Sequence, residues 1–473
     1  MLLEHIYDPD LAQGSYFIGC QAENTAIVVD PRRDIQVYLD LAEKEGMEIV
    51  AVTETHIHAD YLSGTLELAH ATGAQVYVSD EGGPDWLYGD GFEDAIRMKH
   101  GHKITLGNIT VEAVHTPGHT PEHLAFLITD GAQTTEPGFM LSGDFVFVGD
   151  LGRPDLLDAA AGGVDTRFAG ARQLFSSLRD HFLTLPDYVQ VLPAHGSGSA
   201  CGKALGAVPT TTVGYERNFS WWAKYLEQND IEGFVDELLS SQPDAHAYFA
   251  RMKVQNRQGP AVLGDLPALV EYSIAQLQPL LDREEKIVVD TRGHQERYIA
   301  AVPGALSIPD AGKAATHIAW AYNPEEEDRD LIIFATNADE AAQYRDHFVR
   351  VGIDALTGFV TTIDDLLGEP VPTITLDQLD TANPDVLLDM RNGTEYVEGY
   401  LPGARQIAAS RVVWDRDQLP QDGSIISYCA SGRRSAVGSS ALRRYGYNVV
   451  EVIGGYNEWR SQPGKVPVVD QAQ

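Results

Sequence analysis

Thr55-His56-Ile57-His58-Ala59-Asp60-Tyr61 follows directly on the apolar run Ile49-Val50-Ala51-Val52-Thr53. The β-branched run reads as a strand, so two imidazoles and a carboxylate sit on the loop that leaves it. The pattern recurs along the first ~240 residues. Ile109 to Val114 leads into Thr116-Pro117-Gly118-His119-Thr120. Met140-Leu141 leads into Ser142-Gly143-Asp144, and Val189-Gln190-Val191-Leu192 into Pro193-Ala194-His195-Gly196. Four strand ends thus each deliver a His or an Asp. Surface histidines scattered by chance do not gather at strand ends beside Gly, whereas loop-borne polar groups on a rigid sheet are what a reactive site needs. Between these loops, Ala26-Ile27-Val28-Val29-Asp30-Pro31 reads as a strand closed by an Asp-Pro turn. Ile35 to Glu45 and Gly64 to Thr72 read as helices; Gln75 to Val78 and Leu124 to Ile128 read as further strands.

The rest of the chain contains an internal repeat. Val288-Val289-Asp290-Thr291-Arg292 returns as Leu387-Leu388-Asp389-Met390-Arg391, and Pro303-Gly304-Ala305 as Pro402-Gly403-Ala404, both at an offset of 99. Ile333-Phe334-Ala335 matches Ser427-Tyr428-Cys429, and Gly352 matches Gly446, at an offset of 94. Two copies of one α/β unit follow, each with a parallel sheet and flanking helices. The expected domains are residues 1–250, 265–368 and 373–473, with Gln255 to Pro267 as the tail of the first and Glu369-Pro370-Val371-Pro372 as a linker. Glu325, Glu326, Glu327 and Asp328 read as a solvated acidic turn.

In the second copy the strand Ile426-Ser427-Tyr428 runs into Cys429-Ala430-Ser431-Gly432-Arg433-Arg434-Ser435 and then a helix. A tight turn there aims N–H groups at the sulfur, and the helix start favours an anion. Cations oppose the dipole at a helix start, so Arg433 and Arg434 are poorly explained as surface. The first copy has Ala335 and Asp339 where the second has Cys429 and Arg433, so its chemistry is silent. Cys201 lies in Gly198-Ser199-Ala200-Cys201-Gly202-Lys203, where the Lys203 ammonium is expected to favour a thiolate. Cys20 has no such context and reads as structural.

Bulk composition narrows the classes. The 473 residues carry 34 Lys and Arg against 69 Asp and Glu, a formal charge of -35. Such a chain repels a phosphate backbone, which argues against nucleic acid. No run approaches the ~18 apolar residues of a membrane span, and the first residues lack a basic-then-apolar leader. Three cysteines are too few and odd for a disulfide framework, which points to a reducing, cytoplasmic setting.

The stretches around His56, His119, Asp144, Gly152-Arg153-Pro154-Asp155 and His195 together resemble the persulfide dioxygenases, a branch of the metallo-β-lactamase-like superfamily, and also glyoxalase II. The resemblance implies an N-terminal αββα sandwich, followed by two three-layer α/β/α domains. It carries the iron ligands of the dioxygenases onto His56, His119 and Asp144, leaving His58, Asp60 and His195 to hold ligands or a water, or to bind a second metal. Both patterns usually have His where this chain has Tyr61. A phenol replaces a neutral imidazole poorly, which counts more against a two-metal hydrolase. Two His and one Asp are the ligand pattern of non-haem iron oxygenases, with positions left open. Zn(II), the alternative metal, cannot reduce O2.

The Cys429 loop, with Asp389, Arg391 and Pro402-Gly403-Ala404, resembles the rhodanese active loop, which implies sulfur transfer with Cys429, Arg433, Arg434 and Ser435 as its working residues. The full order is similar to that of bacterial persulfide dioxygenase–rhodanese fusions. That implies one Fe(II) per chain, O2, and a small thiol persulfide (of glutathione, coenzyme A or another thiol) as substrates. It further implies sulfite or thiosulfate as products, and a homo-oligomer, dimer or tetramer. The rival expectation is a dinuclear zinc thioester hydrolase fused to a sulfurtransferase. Cys201 is a candidate carrier of sulfane sulfur near the metal.

Overall fold

The strand Gln13–Cys20 is buried on both faces along its whole length. A strand in that condition needs a layer on either side. Tyr16, Ile18 and Cys20 point into one core, shared with Ile27 and Val29 and with Val111, Leu124, Phe126, Ile128 and Leu141 of a facing sheet. Phe17 points the other way, into a core of Val28, Val52, Tyr38, Ala42 and Leu68. That second core seats the helices Gln36–Glu45 and Thr65–Thr72. On the outer face of the other sheet, Ala125, Met140 and Val191 pack against Leu174, Phe175, Phe182, Trp222 and Phe234. The layers are therefore helix, sheet, sheet, helix, as the sequence resemblance implied.

The computed structural model describes residues 1–161, 166–203, 205–266 and 268–469. Pro267, the end of the expected tail, lies outside the described residues, as do 470–473 of the last expected domain. The chain divides into two compact units, Met1–Ala245 with Phe249–Leu266, and His246–Tyr248 with Pro267–Gln473. In the first, six strands run in sequence order: β1 (Leu2–Asp8), β2 (Gln13–Cys20), β3 (Thr25–Val29), β4 (Glu48–Thr53), β5 (Gln75–Ser79) and β6 (Ile96–Met98). The pairings from β3 to β6 are parallel. The facing sheet holds β7 (Lys103–Leu106), β8 (Ile109–His115), β9 (Leu124–Asp130), β10 (Phe139–Gly143), β11 (Gln190–Pro193) and β12 (Thr211–Thr212), again consecutive neighbours. The C-terminal ends of β4, β8, β10 and β11 are those that carry the sequence-predicted His and Asp residues.

The second unit holds two five-stranded sheets. One contains β13 (Val270–Glu271), β14 (Lys286–Asp290), β15 (Leu306–Ser307), β16 (Asp330–Phe334) and β17 (Leu356–Val360), ordered β13-β17-β16-β14-β15. The other contains β18 (Thr373–Ile374), β19 (Val386–Asp389), β20 (Ala404–Gln406), β21 (Ser424–Tyr428) and β22 (Asn448–Val452), ordered β18-β22-β21-β19-β20. The two orders are the same permutation, and all pairings in both sheets are parallel. The register repeats as well: Val289 opposes Leu306 in one sheet and Leu388 opposes Arg405 in the other. The repeated Asp-x-Arg forms the same clamp twice. Arg292 Nη2 donates to Asp290 (2.7 Å) and to the Ala300 carbonyl (3.1 Å). Arg391 Nη2 donates to Asp389 (2.5 Å) and to the Gly399 carbonyl (2.8 Å). Among the described residues no helix is long and apolar enough to cross a membrane.

Candidate metal centre and sulfur loop

His56, His119 and Asp144 converge in the first unit, each presenting a ligand atom within 4.8 Å of the others, and all three are buried. The tautomers are fixed by what the outer ring nitrogens touch. Thr55 Oγ1 donates to Asp30 Oδ2 (2.9 Å) and so accepts from His56 Nδ1 (2.9 Å). His119 Nδ1 donates to the Arg153 carbonyl (3.1 Å), and His195 Nδ1 to the Ala12 carbonyl (3.1 Å). Each ring therefore turns an Nε2 lone pair inward. Facing these lone pairs is Asp144, 4.0 Å from His56, 3.5 Å from His119 and 3.5 Å from His195. Among the described residues nothing donates a hydrogen bond to either Asp144 oxygen, although both are buried. Lone pairs on buried nitrogens opposite a buried carboxylate repel one another unless a cation or a proton lies between them. The residues present thus fit a metal ion.

Electrostatics agree. Burial holds His56 and His119 well below the ordinary imidazole range, aided by neighbouring histidines, so both are neutral at pH 7 and available as ligands. Burial pushes the Asp144 carboxyl up to about 6, against the pull of His195. Burial alone would lower His195, but Asp144 and Asp60 raise it.

Asp60 and His195 do not merely flank the first group. With Cys201 they form a second convergent set, again within 4.8 Å and buried, and His195 Nε2 lies 3.4 Å from Asp60. His58 Nε2 donates to Asp30 Oδ1 at 2.9 Å, and its buried Nδ1 has no hydrogen-bond partner among the described residues. Tyr61 is buried, and its hydroxyl donates to the Asp30 carbonyl at 3.1 Å, which commits the phenol elsewhere. The expectation for Cys201 requires correction. Lys203 Nζ donates to the carbonyls of Glu237 (2.6 Å) and Ser240 (3.3 Å). Burial, with Asp144 and Asp60 nearby, pushes the Cys201 thiol well up rather than down.

Several residues that shape the pocket were not singled out from the sequence. Asp30 accepts from the Thr55 N–H (2.6 Å), from its hydroxyl and from His58. Its only sequence signal, Asp-Pro after a strand, reads as a turn. His123 stacks on His56 at 5.2 Å and accepts from the Asp144 N–H at 3.0 Å. Gly143 permits this approach: it has φ of +54°, and a Cβ there would lie 2.6 Å from His123 Nε2. Asn256 donates to the carbonyls of His58 (2.8 Å) and Tyr61 (2.7 Å) and fixes the loop from behind. Glu122 accepts from the Ile57 N–H at 2.9 Å.

In the second unit Cys429 is buried at the end of β21. Its sulfur accepts from the Gly432 N–H at 3.2 Å; the Ser435 hydroxyl lies 3.6 Å from the sulfur and 3.1 Å from the Gly432 carbonyl, and shares its one proton between them. The helix Arg433–Arg444 begins with no side-chain cap. The first copy, with Ala335 in place of the cysteine, differs here. Its helix Ala338–Arg350 is capped by Asn337, whose side chain accepts from the Glu340 N–H, so the helix start satisfies itself. Of the two arginines expected at the sulfur, Arg434 pairs with Glu395 (2.8 Å), and Arg433 is exposed, 3.4 Å from Asp310. Among the described residues, the donors within hydrogen-bond reach of the sulfur are the Gly432 N–H and the Ser435 hydroxyl.

Two family models match separate stretches of the chain. Residues 9–195 match the metallo-beta-lactamase superfamily and residues 372–462 the rhodanese-like domain. A solved structure of a metallo-beta-lactamase from Staphylococcus aureus is 33% identical, covers 76% of this chain and 98% of its own, and superposes with a TM-score of 0.66. The mitochondrial persulfide dioxygenase ETHE1 of Mus musculus is 25% identical over 41% of this chain and 68% of its own length. The hydroxyacylglutathione hydrolase GloC of Haemophilus influenzae is also 25% identical, over 40% of this chain and 87% of its own. The chain belongs to the metallo-beta-lactamase superfamily and carries a rhodanese-like domain on the same polypeptide, a metal-dependent enzyme related distantly to the persulfide dioxygenases.

Proposed function

We propose that the first unit is a persulfide dioxygenase and that Cys429 is a sulfur-transfer nucleophile. The net reaction is RSSH + O2 + H2O → RSH + H2SO3. The observation that carries the reading is the donor set: two neutral imidazoles and one unbonded carboxylate converge, while Tyr61 is committed to Asp30. His56, His119 and Asp144 are the residues that would hold ferrous iron, which when bound supplies the redox chemistry that O2 demands. Thr55, Arg153 and His123 keep the ligands in their working tautomers and orientation. Burial of the pocket excludes bulk water from a reactive sulfur anion.

At the other centre the Gly432 N–H and Ser435 hydroxyl hold the Cys429 sulfur as it alternates between thiolate and persulfide. Sulfite released by the first reaction can take the outer sulfur: Cys429–S–S⁻ + SO3²⁻ → Cys429–S⁻ + S2O3²⁻. One polypeptide raises the local concentration of both reactive species. Cys201, beside Asp60 and His195, is a candidate carrier of sulfane sulfur to the iron.

The second set of Asp60, His195 and Cys201 favours one other reading, a dinuclear hydrolase with Asp144 between two metals. Oxygen uptake separates the two. With a glutathione or coenzyme A persulfide, the dioxygenase consumes one O2 per sulfite formed and leaves thioesters intact. Thioester cleavage without O2 consumption selects the hydrolase.

A further inference from the structure

The helix Phe249–Gln258 carries Lys253 and Asn256 one turn apart, hence on one face. Asn256 donates to the carbonyls of His58 and Tyr61, so this face is turned toward the loop that carries His56. The Lys253 ammonium lies 4.0 Å from the centre of the Trp86 ring. The segment that holds this ring is clasped to the same helix: Arg257 Nε donates to the Leu87 carbonyl (3.1 Å), and the Gly89 N–H to the Arg257 carbonyl (2.7 Å). Trp86 in turn borders Glu122, since a Cβ on Gly82 would lie 2.9 Å from Trp86 Cβ and 3.0 Å from Glu122 Cβ. Glu122 holds the Ile57 N–H between His56 and His58 (2.9 Å) and stands three residues after His119. The ammonium thus sits beside the two loops that supply the imidazole ligands.

That charge has no counterpart. Lys44, Lys99, Lys103, Lys203, Lys286 and Lys465 each pair with a carboxylate. Lys253 is 7% exposed, the one buried lysine among the described residues, and among them it makes no ion pair and no hydrogen bond. A ring face attracts a cation but leaves its three N–H donors unused. A cation so buried, in a chain of formal charge -35, calls for an anion. Burial lowers the ammonium to about 8 against the pull of Glu122, so it is charged at pH 7. We propose that Lys253, backed by Trp86, binds a carboxylate of the substrate, so that the persulfide oxidised at the metal is carried by a thiol bearing that group. The proposal rests on the dioxygenase reading of the pocket and narrows its substrate class. One compact ammonium suits a monoanion, whereas a pyrophosphate recruits several donors, as in forked guanidinium groups or a helix N-terminus. An amino-acid-derived thiol therefore fits better than coenzyme A. Lys253 acts in binding alone, and no covalent step passes through it.

The test uses N-acetylcysteine and N-acetylcysteamine, which differ only in the carboxylate. Their persulfides are compared as substrates by O2 uptake, and the two thiols as ligands by calorimetry, in the full-length protein. Wild type should favour the carboxylate-bearing persulfide in kcat/KM by about tenfold, with the difference in KM, and should bind its thiol tighter by a similar factor. Lys253→Met, which keeps the apolar stem without the charge, should bring both ratios close to one. Lys253→Arg should keep part of the preference. Trp86→Leu leaves the charge and loses the ring; a smaller fall of both ratios is expected of it, and it decides the matter should Lys253→Met fold poorly. Equal ratios in wild type and Lys253→Met overturn the proposal, as does an equal loss for both compounds, which marks a role in folding or toward the sulfur itself. No O2 uptake with either persulfide in the wild type sinks the dioxygenase reading, while thiol calorimetry still decides the carboxylate site.

Discussion

The metal pocket and the Cys429 loop solve opposite electrostatic problems. In the pocket, acceptors converge without donors: two histidine lone pairs and a carboxylate with no hydrogen bond. In the loop, donors converge on one sulfur, from Gly432 and Ser435. The first arrangement is stable only around a cation, the second only around an anion or a polarisable sulfur. The pocket draws on four strand ends distant in sequence, whereas the loop is a few consecutive residues at one helix start. Loss of any one ligand should therefore empty the pocket, while the loop fails only with its nucleophile or its N–H geometry.

The largest expected effects separate the two centres. Cys429→Ser should abolish sulfur transfer and leave persulfide-dependent O2 uptake intact. Asp144→Asn should do the reverse. Its loss of bound metal and O2 uptake should exceed the roughly 10–100-fold typical of an outer hydrogen-bond partner. Coupled loss of both activities in either variant would break the comparison.

Asp30→Asn is a smaller probe. It removes a charge that orients Thr55 and His58 but binds no metal itself, so iron affinity should fall by about 10–100-fold, read by competition with a chelator. Metal-free protein offers a pH signature. Burial lowers the His58 imidazole, but the charge and hydrogen bond of Asp30 more than reverse this and push it up to about 9. A raised folded-state value means the stabilisation is full below the unfolded value near 6.5 and lost as pH rises through about 9. Denaturant midpoints of the metal-free chain should decline across that window, and His58→Gln should remove that share of the decline. Smallest is Cys201→Ser, for which a few-fold slower persulfide turnover with unchanged iron content is expected; unchanged turnover removes its carrier role.

Much of this was legible in the sequence because it is local. Alternating strands that end in His or Asp, and a repeat marked by Asp-x-Arg and Pro-Gly-Ala, need only neighbouring residues to be read. What escaped depends on distant chain segments meeting. Asp30 looks like a turn residue until Thr55 and His58 come to it. His123 gains meaning only where Gly143 lets the Asp144 N–H reach it. Cys201 looked like a thiol activated by Lys203, yet the fold sends that ammonium to Glu237 and Ser240 and surrounds the sulfur with Asp60 and Asp144. Arg433 and Arg434 illustrate the same limit: proximity in sequence to Cys429 did not predict their partners Asp310 and Glu395.

The dioxygenase proposal stands or falls on a lone iron held by three side chains. Anomalous diffraction from crystals of anaerobically purified protein, recorded on either side of the iron and zinc edges, tests it directly. One iron peak is expected among His56 Nε2, His119 Nε2 and Asp144, with no metal at Asp60, His195 and Cys201. Two zinc peaks flanking Asp144 would contradict it.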